Sequence, residues 1–266
     1  MSGPQSLFIV RHGDRWDYSH PEWLETAQRK GDPPLSTLGH QQARETGIFL
    51  DKLLTDSGIV DGKDIAWMSS PFLRTIQTSD EALNMMSKVR NIESVKILPE
   101  YSIFELDGHD GKLHADLPEM IERTMYFPRV DADYESLFIP PLPESRTVFL
   151  KRCDDAIAAL AKRHSYKPNT AIVMVTHAAA CVGLTKSAAQ LGLEDVNPAG
   201  PCGVFRVQRW SDTTKWELDH YSKEGGYNGH LGHLSQMGKT TYPWNNFGDK
   251  QVNKGYTGPP GGNCKP

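Results

Sequence analysis

Two histidines and two arginines of this 266-residue chain stand where side-chain chemistry is commonly presented. Arg11-His12 closes a short apolar run at residues 7–10, and His177 closes another at 171–175. Arg74 lies in the first turn of a helical segment that follows a third apolar run, 65–68. A wholly apolar, β-rich run reads as a strand buried on both faces, and open α/β sheets carry their sites at the carboxyl ends of such strands. If these three strands are neighbours, two arginines and two histidines converge on one spot and form a pocket for a dianion. An isolated Arg-His-Gly triplet is weak evidence; the joint placement carries the reading.

The elements that must position these groups alternate between strand and helix. Residues 14–36 read as a loop with one helical turn, after which Ser36 or Thr37 caps a helix to about residue 54, with Leu38, Ala43, Leu50, Leu53 and Leu54 inward. Gly39 and Gly47 lower that helix's propensity, so close packing must compensate. Pro71 opens a helix at about 72–86, and a third strand is expected at 94–98. Residues 99–145 are Pro-rich and irregular, long enough to act as a lid. A helix at 146–163 uses Val148, Phe149, Ala156, Ile157 and Leu160; a small-residue helix at 180–191 follows the strand ending at His177, and strands at 203–209 and 215–221 close the regular part. This alternation implies a three-layer α/β/α sandwich with a mostly parallel central sheet. Residues 1–222 form the expected domain. The extension 223–266 holds ten of the 23 glycines and cannot build a core alone, although Leu231, Leu234, Met237, Tyr242, Trp244 and Phe247 can pack part of it on the domain.

Four motifs in one order resemble the histidine phosphatase superfamily, the phosphoglycerate-mutase-like proteins. FIVRHGDR (8–15) is similar to its strand ending in R-H-G, and PLSTLGHQQA (34–43) to its P-L-[ST]-x-x-G-x-x-Q-A segment. SSPFLRTIQT (69–78) resembles S-P-x-x-R-x-x-Q-T, and VMVTHAAA (173–180) the strand ending in [ST]-H. The resemblance implies that His12 is a nucleophile that becomes a phosphohistidine, with Arg11, Arg74 and His177 on the phosphoryl oxygens and Arg15 as a further phosphate-binding cation. A neutral imidazole must attack, and positioned charge must stabilise the loose transition state.

A leaving oxygen also needs a proton. The acid-phosphatase and phytase branch takes it from an H-D pair, which Ala178 after His177 disfavours. The other branch uses a glutamate after the third strand, so the resemblance assigns Glu105 of IFELDG as general acid, with Asp107 and Glu100 as substitutes. RHGDRWDY departs from the RHG-E-S-x-W-N of phosphoglycerate mutases. With SPFLRTIQT and the I-F-E acid it most resembles suppressor-of-T-cell-receptor-signalling and ecdysteroid-phosphate phosphatases, without their ubiquitin-binding and SH3 modules. A small-molecule or phosphotyrosyl-type phosphomonoester is the implied substrate; Trp16, Trp23, Tyr101 and Phe104 are candidates for an apolar leaving-group pocket. A non-catalytic interaction module of the same fold and a mutase remain alternatives.

Composition excludes other classes. With 29 Lys plus Arg against 33 Asp plus Glu, the net charge of −4 does not suit a generally basic nucleic-acid binder. No run of about 18 apolar residues suggests a membrane span, and MSGPQSLFIV lacks the pattern of a secretory leader. Cys153, Cys181, Cys202 and Cys264 are scattered, arguing against a zinc site or disulfide framework, so the cytoplasm, or the nucleus, is the expected compartment. His220, His230 and His233 lack neighbouring ligands at metal spacing, and Gly226, Gly229 and Gly232 lack the strand and helix of a dinucleotide fingerprint. No metal or cofactor is expected, and the sequence is compatible with a homodimer.

Overall fold

The computed structural model describes residues 3–87, 90–106, 117–196, 200–213, 215–219 and 233–236. Its centre is a pair of seven-residue strands, β1 (Gln5–Arg11) and β4 (Thr170–Thr176), in which every residue is buried. Burial on both faces explains why these runs show no polar alternation. Between them in the chain come β2 (Ile65–Ser69) and β3 (Ile97–Pro99), and after them β5 (Val204–Arg209) and β6 (Glu217–Leu218). The sheet order is β3-β2-β4-β1-β5-β6. The first four strands run parallel; β5 pairs antiparallel with both β1 and β6.

Side-chain alternation divides the core into two layers. Phe8, Val10, Trp67 and Val173 face one side and pack with Leu50, Leu54, Ile76 and Leu83 of helices α3 (Thr37–Asp56) and α4 (Leu73–Met86). Leu7, Ile9, Met68 and Ile172 face the other and pack with Phe149, Ala156, Leu160 and Ala180 of α6 (Arg146–Arg163) and α7 (Ala178–Ala189). The molecule is therefore the expected α/β/α sandwich. Each large apolar side chain buried in these layers contributes roughly 1.5–3 kcal/mol. Gly47 explains the low-propensity positions of α3: a Cβ there would stand 2.4 Å from the Ala82 carbonyl oxygen, so its absence lets α3 and α4 touch.

Several boundaries differ from the expectations. Residues 14–36 contain two short helices, α1 (Trp16–Ser19) and α2 (Trp23–Thr26), instead of one turn. The strand expected at 94–98 is only Ile97–Pro99; its outer side is partly occupied by the insertion, where Ile97 N–H donates to Arg129 and Asp131 N–H to Ile97. The helix expected at 180–191 starts directly at Ala178 and stops at Gln190, which adopts a left-handed φ of 54°. Of the strand expected at 215–221, Glu217–Leu218 is regular. Val148 is 45% exposed, so Phe149 and not Val148 faces the core. Within 99–145 lie a 3-10 turn, Tyr101–Ile103, and α5 (Met120–Thr124). Beyond residue 222, the described 233–236 lie against α3: Leu234 packs with Leu35, Ala43 and Cys202, and Ser235 bonds Glu45. His220, His230, Asp107, Cys264, the three spaced glycines and the other apolar tail residues lie outside the described residues.

Candidate active site

Strand order brings the motifs together. Because β4 lies between β1 and β2, Arg11 stands opposite Thr176, and Val175 opposite Ser69. The chain leaves all three strands at one level: His12 N–H donates to the Thr176 carbonyl (2.9 Å) and Ser70 N–H to the Val175 carbonyl (2.9 Å). The His12 and His177 rings meet edge to face, 5.3 Å between centroids. Arg74 reaches the same point from the first turn of α4, its Nη2 donating to His177 Nδ1 at 3.2 Å.

That contact settles the His177 tautomer. A guanidinium only donates, so Nδ1 accepts, and Nε2–H donates to Ser70 Oγ at 2.9 Å. For His12, the Gly13 carbonyl lies 2.7 Å from Nδ1. A carbonyl only accepts, so Nδ1 carries the hydrogen and Nε2 keeps its lone pair. Burial, followed by the positive charges of Arg74 and Arg11, pushes the His12 pKa well below its usual value, against the opposing pull of the Gly13 carbonyl. The ring is therefore neutral near pH 7, and Nε2 presents a lone pair in the field of neighbouring arginines.

The motif residues that are neither cation nor histidine hold the Arg-His-Gly loop. Ser36 caps α3 by accepting from Gly39 N–H (3.0 Å) and donates to the Asp14 carboxylate (2.7 Å). Gln42 accepts from Asp14 N–H (2.9 Å), Thr78 from Gly13 N–H (3.1 Å), and Gln77 from Leu35 N–H (2.8 Å). Gly13 and Gly39 are required by close approach: a Cβ on Gly13 would meet the Gly39 oxygen at 2.6 Å, and one on Gly39 the Asp14 oxygen at 2.2 Å. Opposite them, Cys202, at φ 55°, donates its N–H to the His12 carbonyl (3.1 Å).

Arg11, Arg74, His12 and His177 are all at most 4% exposed. Such concentrated buried positive charge is costly unless an anion offsets it. Burial and the neighbouring Arg15 lower Arg74 to about 10, still protonated at pH 7. Its Nε has no hydrogen-bond partner among the described residues, a buried donor available to a ligand. Arg15 sits at the rim, bidentate to Asp17 (3.0 and 2.7 Å), bonded to Tyr18 and stacked over its ring.

Glu105 feels the fields of Arg74, Arg11 and Arg15, and its turn is tied to the end of β4, where the Thr176 hydroxyl donates to the Ile103 carbonyl (2.6 Å). Burial raises its pKa, which the Leu106 N–H and the arginines only partly offset, so its protonated form is accessible. Glu100, a substitute by sequence, is elsewhere engaged: fully buried, it accepts from Ser102 and Leu137 N–H and from the Tyr134 and Ser136 hydroxyls, fastening the insertion. Phe104 packs edge to face on Phe72, which packs on His177, whereas Trp16 stacks on His20 and Trp23 is partly exposed; of the four candidate aromatics, only the buried Phe104, with Tyr101 packed on it, belongs to the ring cluster that reaches His177 among the described residues. A separate cleft of about 650 Å³, lined by Tyr101, Glu119, Asp133, Tyr134 and Ile139 among others, contains none of the site cations. Among the described residues no cluster could hold a metal ion; His233 instead stacks on Phe49. Cys153, Cys181 and Cys202 are buried free thiols.

Sequence reasoning missed Ser70, which orients His177, and Arg152, which holds the Glu105 segment. Arg152 left a signal: it lies three residues after Phe149 and four before Ala156, on the apolar face of α6.

No protein of curated function matches the sequence. Among solved structures, the ecdysone phosphate phosphatase from Bombix mori in complex with tungstate superposes with a TM-score of 0.62 at 20% identity, covering 81% of this chain and 92% of that one. Phosphoglycerate mutase from Bacillus anthracis gives 0.51 at 15% identity, covering 87% and 96%. A mycobacterial glucosyl-3-phosphoglycerate phosphatase with inorganic phosphate gives 0.51 at 18%, covering 86% and 99%. At these identities the likeness concerns the fold. The family model is more direct: it matches residues 7–222, the span holding every group of the site, and the chain belongs to the histidine phosphatase superfamily, branch 1.

Proposed function

We propose that this protein is a phosphomonoesterase that works through a phosphohistidine at His12. The observation that carries the reading is the neutral His12 ring, its Nδ1–H tied to Gly13 and its free Nε2 among buried arginines. In the first step Nε2 attacks phosphorus, the ester P–O bond breaks, and protonated Glu105 gives its proton to the leaving oxygen. In the second, the Glu105 carboxylate takes a proton from water, which attacks the phosphohistidine and releases phosphate. Arg11 and Arg74 hold the equatorial oxygens, where positioned charge supplies most of the catalysis. A phosphoryl oxygen entering between Arg74 and His177 replaces the contact between them, and the proton that a phosphomonoester monoanion carries bridges that oxygen and His177 Nδ1 while Nε2–H stays on Ser70 Oγ. Imidazole supplies the nucleophile and the arginines the charge, so this chemistry calls for no metal.

Arg15 at the rim, and the Phe72–Phe104–Tyr101 ring cluster that reaches His177, fit an aryl or alkyl phosphomonoester of the phosphotyrosyl or small-molecule type. The test is hydrolysis of p-nitrophenyl phosphate by the wild type and His12→Ala, with and without EDTA, together with rapid quenching to trap an acid-labile phosphoenzyme. The wild type should be active, unaffected by EDTA and labelled at His12. Full activity in His12→Ala overturns the proposal, and transfer to a sugar-acid acceptor in preference to water would identify a mutase.

A further inference from the structure

Helix α6 buries an arginine on its apolar face, and all five of its N–H groups are engaged. Arg152 Nε and one Nη2 hydrogen bind the Glu144 carboxylate at 2.9 and 2.5 Å. The two on Nη1 go to the carbonyls of Ser102 (2.8 Å) and Phe104 (3.1 Å), and the second on Nη2 to the Glu105 carbonyl (3.4 Å). Arg152 and Glu144 are each 4% exposed. On its far side the same turn is fastened by Thr176, whose hydroxyl donates to the Ile103 carbonyl (2.6 Å) one residue before His177.

We propose that Arg152, held by Glu144, is a positioning residue for the general acid: it fixes the 102–105 backbone so that the Glu105 carboxyl meets the leaving oxygen. The inference rests on the role proposed for Glu105. A buried ion pair is a poor source of stability, because desolvation offsets much of the attraction. This pair instead sets geometry. A planar fork can receive three carbonyls and a carboxylate at fixed angles, whereas a lysine ammonium offers three donors from a point. Arg152 on α6 and Thr176 at the end of β4 hold the turn from two sides, so the acid is registered against the histidines.

Leaving-group dependence separates positioning from simple structural support. An acidic phenol departs without a proton; an alkoxide does not. Arg152→Lys and Glu144→Gln are compared with wild type and Glu105→Gln on p-nitrophenyl phosphate and an alkyl phosphate. Both clamp variants should lose about 10–10²-fold in kcat/KM on the alkyl ester and stay within about threefold on the nitrophenyl ester, as expected when a general acid worth roughly 10²–10⁴-fold is misplaced. Glu105→Gln should show the same selectivity more strongly. If Glu105→Gln is selective but the clamp variants lose both activities equally, or neither clamp variant folds, Arg152 serves the fold alone and the inference fails. If Glu105→Gln itself affects both substrates equally, the acid assignment fails instead.

Discussion

Substituting Gly39 by alanine tests whether the Arg-His-Gly loop is placed by helix α3. The new Cβ would lie 2.2 Å from the Asp14 carbonyl oxygen and 3.0 Å from its nitrogen, where ordinary contact begins near 3.4 Å. Both atoms are backbone, so no side chain can rotate away and the loop must retreat by about 1 Å. Asp14 is two residues from His12, and its N–H and carboxylate are held by Gln42 and Ser36. A displacement of that size in a reacting group costs about 10²-fold, equivalent to about 2.7 kcal/mol of barrier. Gly47→Ala is the matched control, because its Cβ would meet the Ala82 oxygen at 2.4 Å, again backbone, but between α3 and α4 away from the loop. Both substitutions incur overpacking of roughly 1–3 kcal/mol, offset by about 1 kcal/mol of helix propensity. Thermal unfolding should therefore show similar modest losses in the two variants. Steady-state kinetics on p-nitrophenyl phosphate should show kcat down about 10²-fold in Gly39→Ala and within about threefold in Gly47→Ala. Wild-type kcat in Gly39→Ala, or equal losses in both, would refute the coupling between helix and catalytic loop.

Arg74→Lys keeps a charge but loses the fork and the contact to His177; kcat/KM should fall by about 10²–10³-fold with little change in melting temperature, and near-normal turnover would remove Arg74 from the phosphoryl site. The proposed mechanism needs neutral His12 and protonated Glu105, so the rate should rise as His12 deprotonates below its ordinary value of 6.5 and decline as Glu105 loses its proton above its ordinary 4.5. In a pH–rate profile Glu105→Gln should lack the alkaline decline; retention of that limb would assign it to another group. The depressed His12 pKa also affects stability: below about pH 6.5 the unfolded chain takes up a proton that the folded chain refuses, so stability falls as pH drops towards the folded-state value. His12→Asn, which does not titrate, should flatten that slope in urea unfolding at about pH 7.5 and 5, and an unchanged slope would contradict a buried neutral ring.

Much of this molecule is legible one segment at a time. Strands β1 and β4 announce themselves because burial on both faces leaves their centres, residues 7–10 and 171–175, wholly apolar, and Ser36 marks the start of α3 because the unpaired N–H groups of a first helical turn need an acceptor. The four motifs likewise contain His12, Arg74 and His177 together with the residues that hold them. Positions 36, 39, 42 and 77–78 are local in sequence but act across elements, so their letters are readable while their partners are not. Boundaries set by neighbours are not readable either: β3 is short and its outer side is met by residues 129–131, and α7 begins at Ala178 because His177 is the last residue of the strand exit.

Glu100 and Glu105 show the limit most clearly. Both are acids shortly after the same strand, and nothing in their local letters separates a structural fastener from a candidate proton donor. Four donors, three of them from residues 134–137, converge on one carboxylate, and four arginines, Arg11, Arg15, Arg74 and Arg152, act on the other through space. The sequence by itself determined the strand and helix periods, the candidate site residues and the family, since these depend on residues within a few positions of one another. Only the tertiary structure decided that β4 lies between β1 and β2, which tautomers His12 and His177 adopt, and that Arg152 grips the Glu105 turn. Strand order, burial and electrostatic fields are sums over residues distant in the chain, and a local pattern does not encode them.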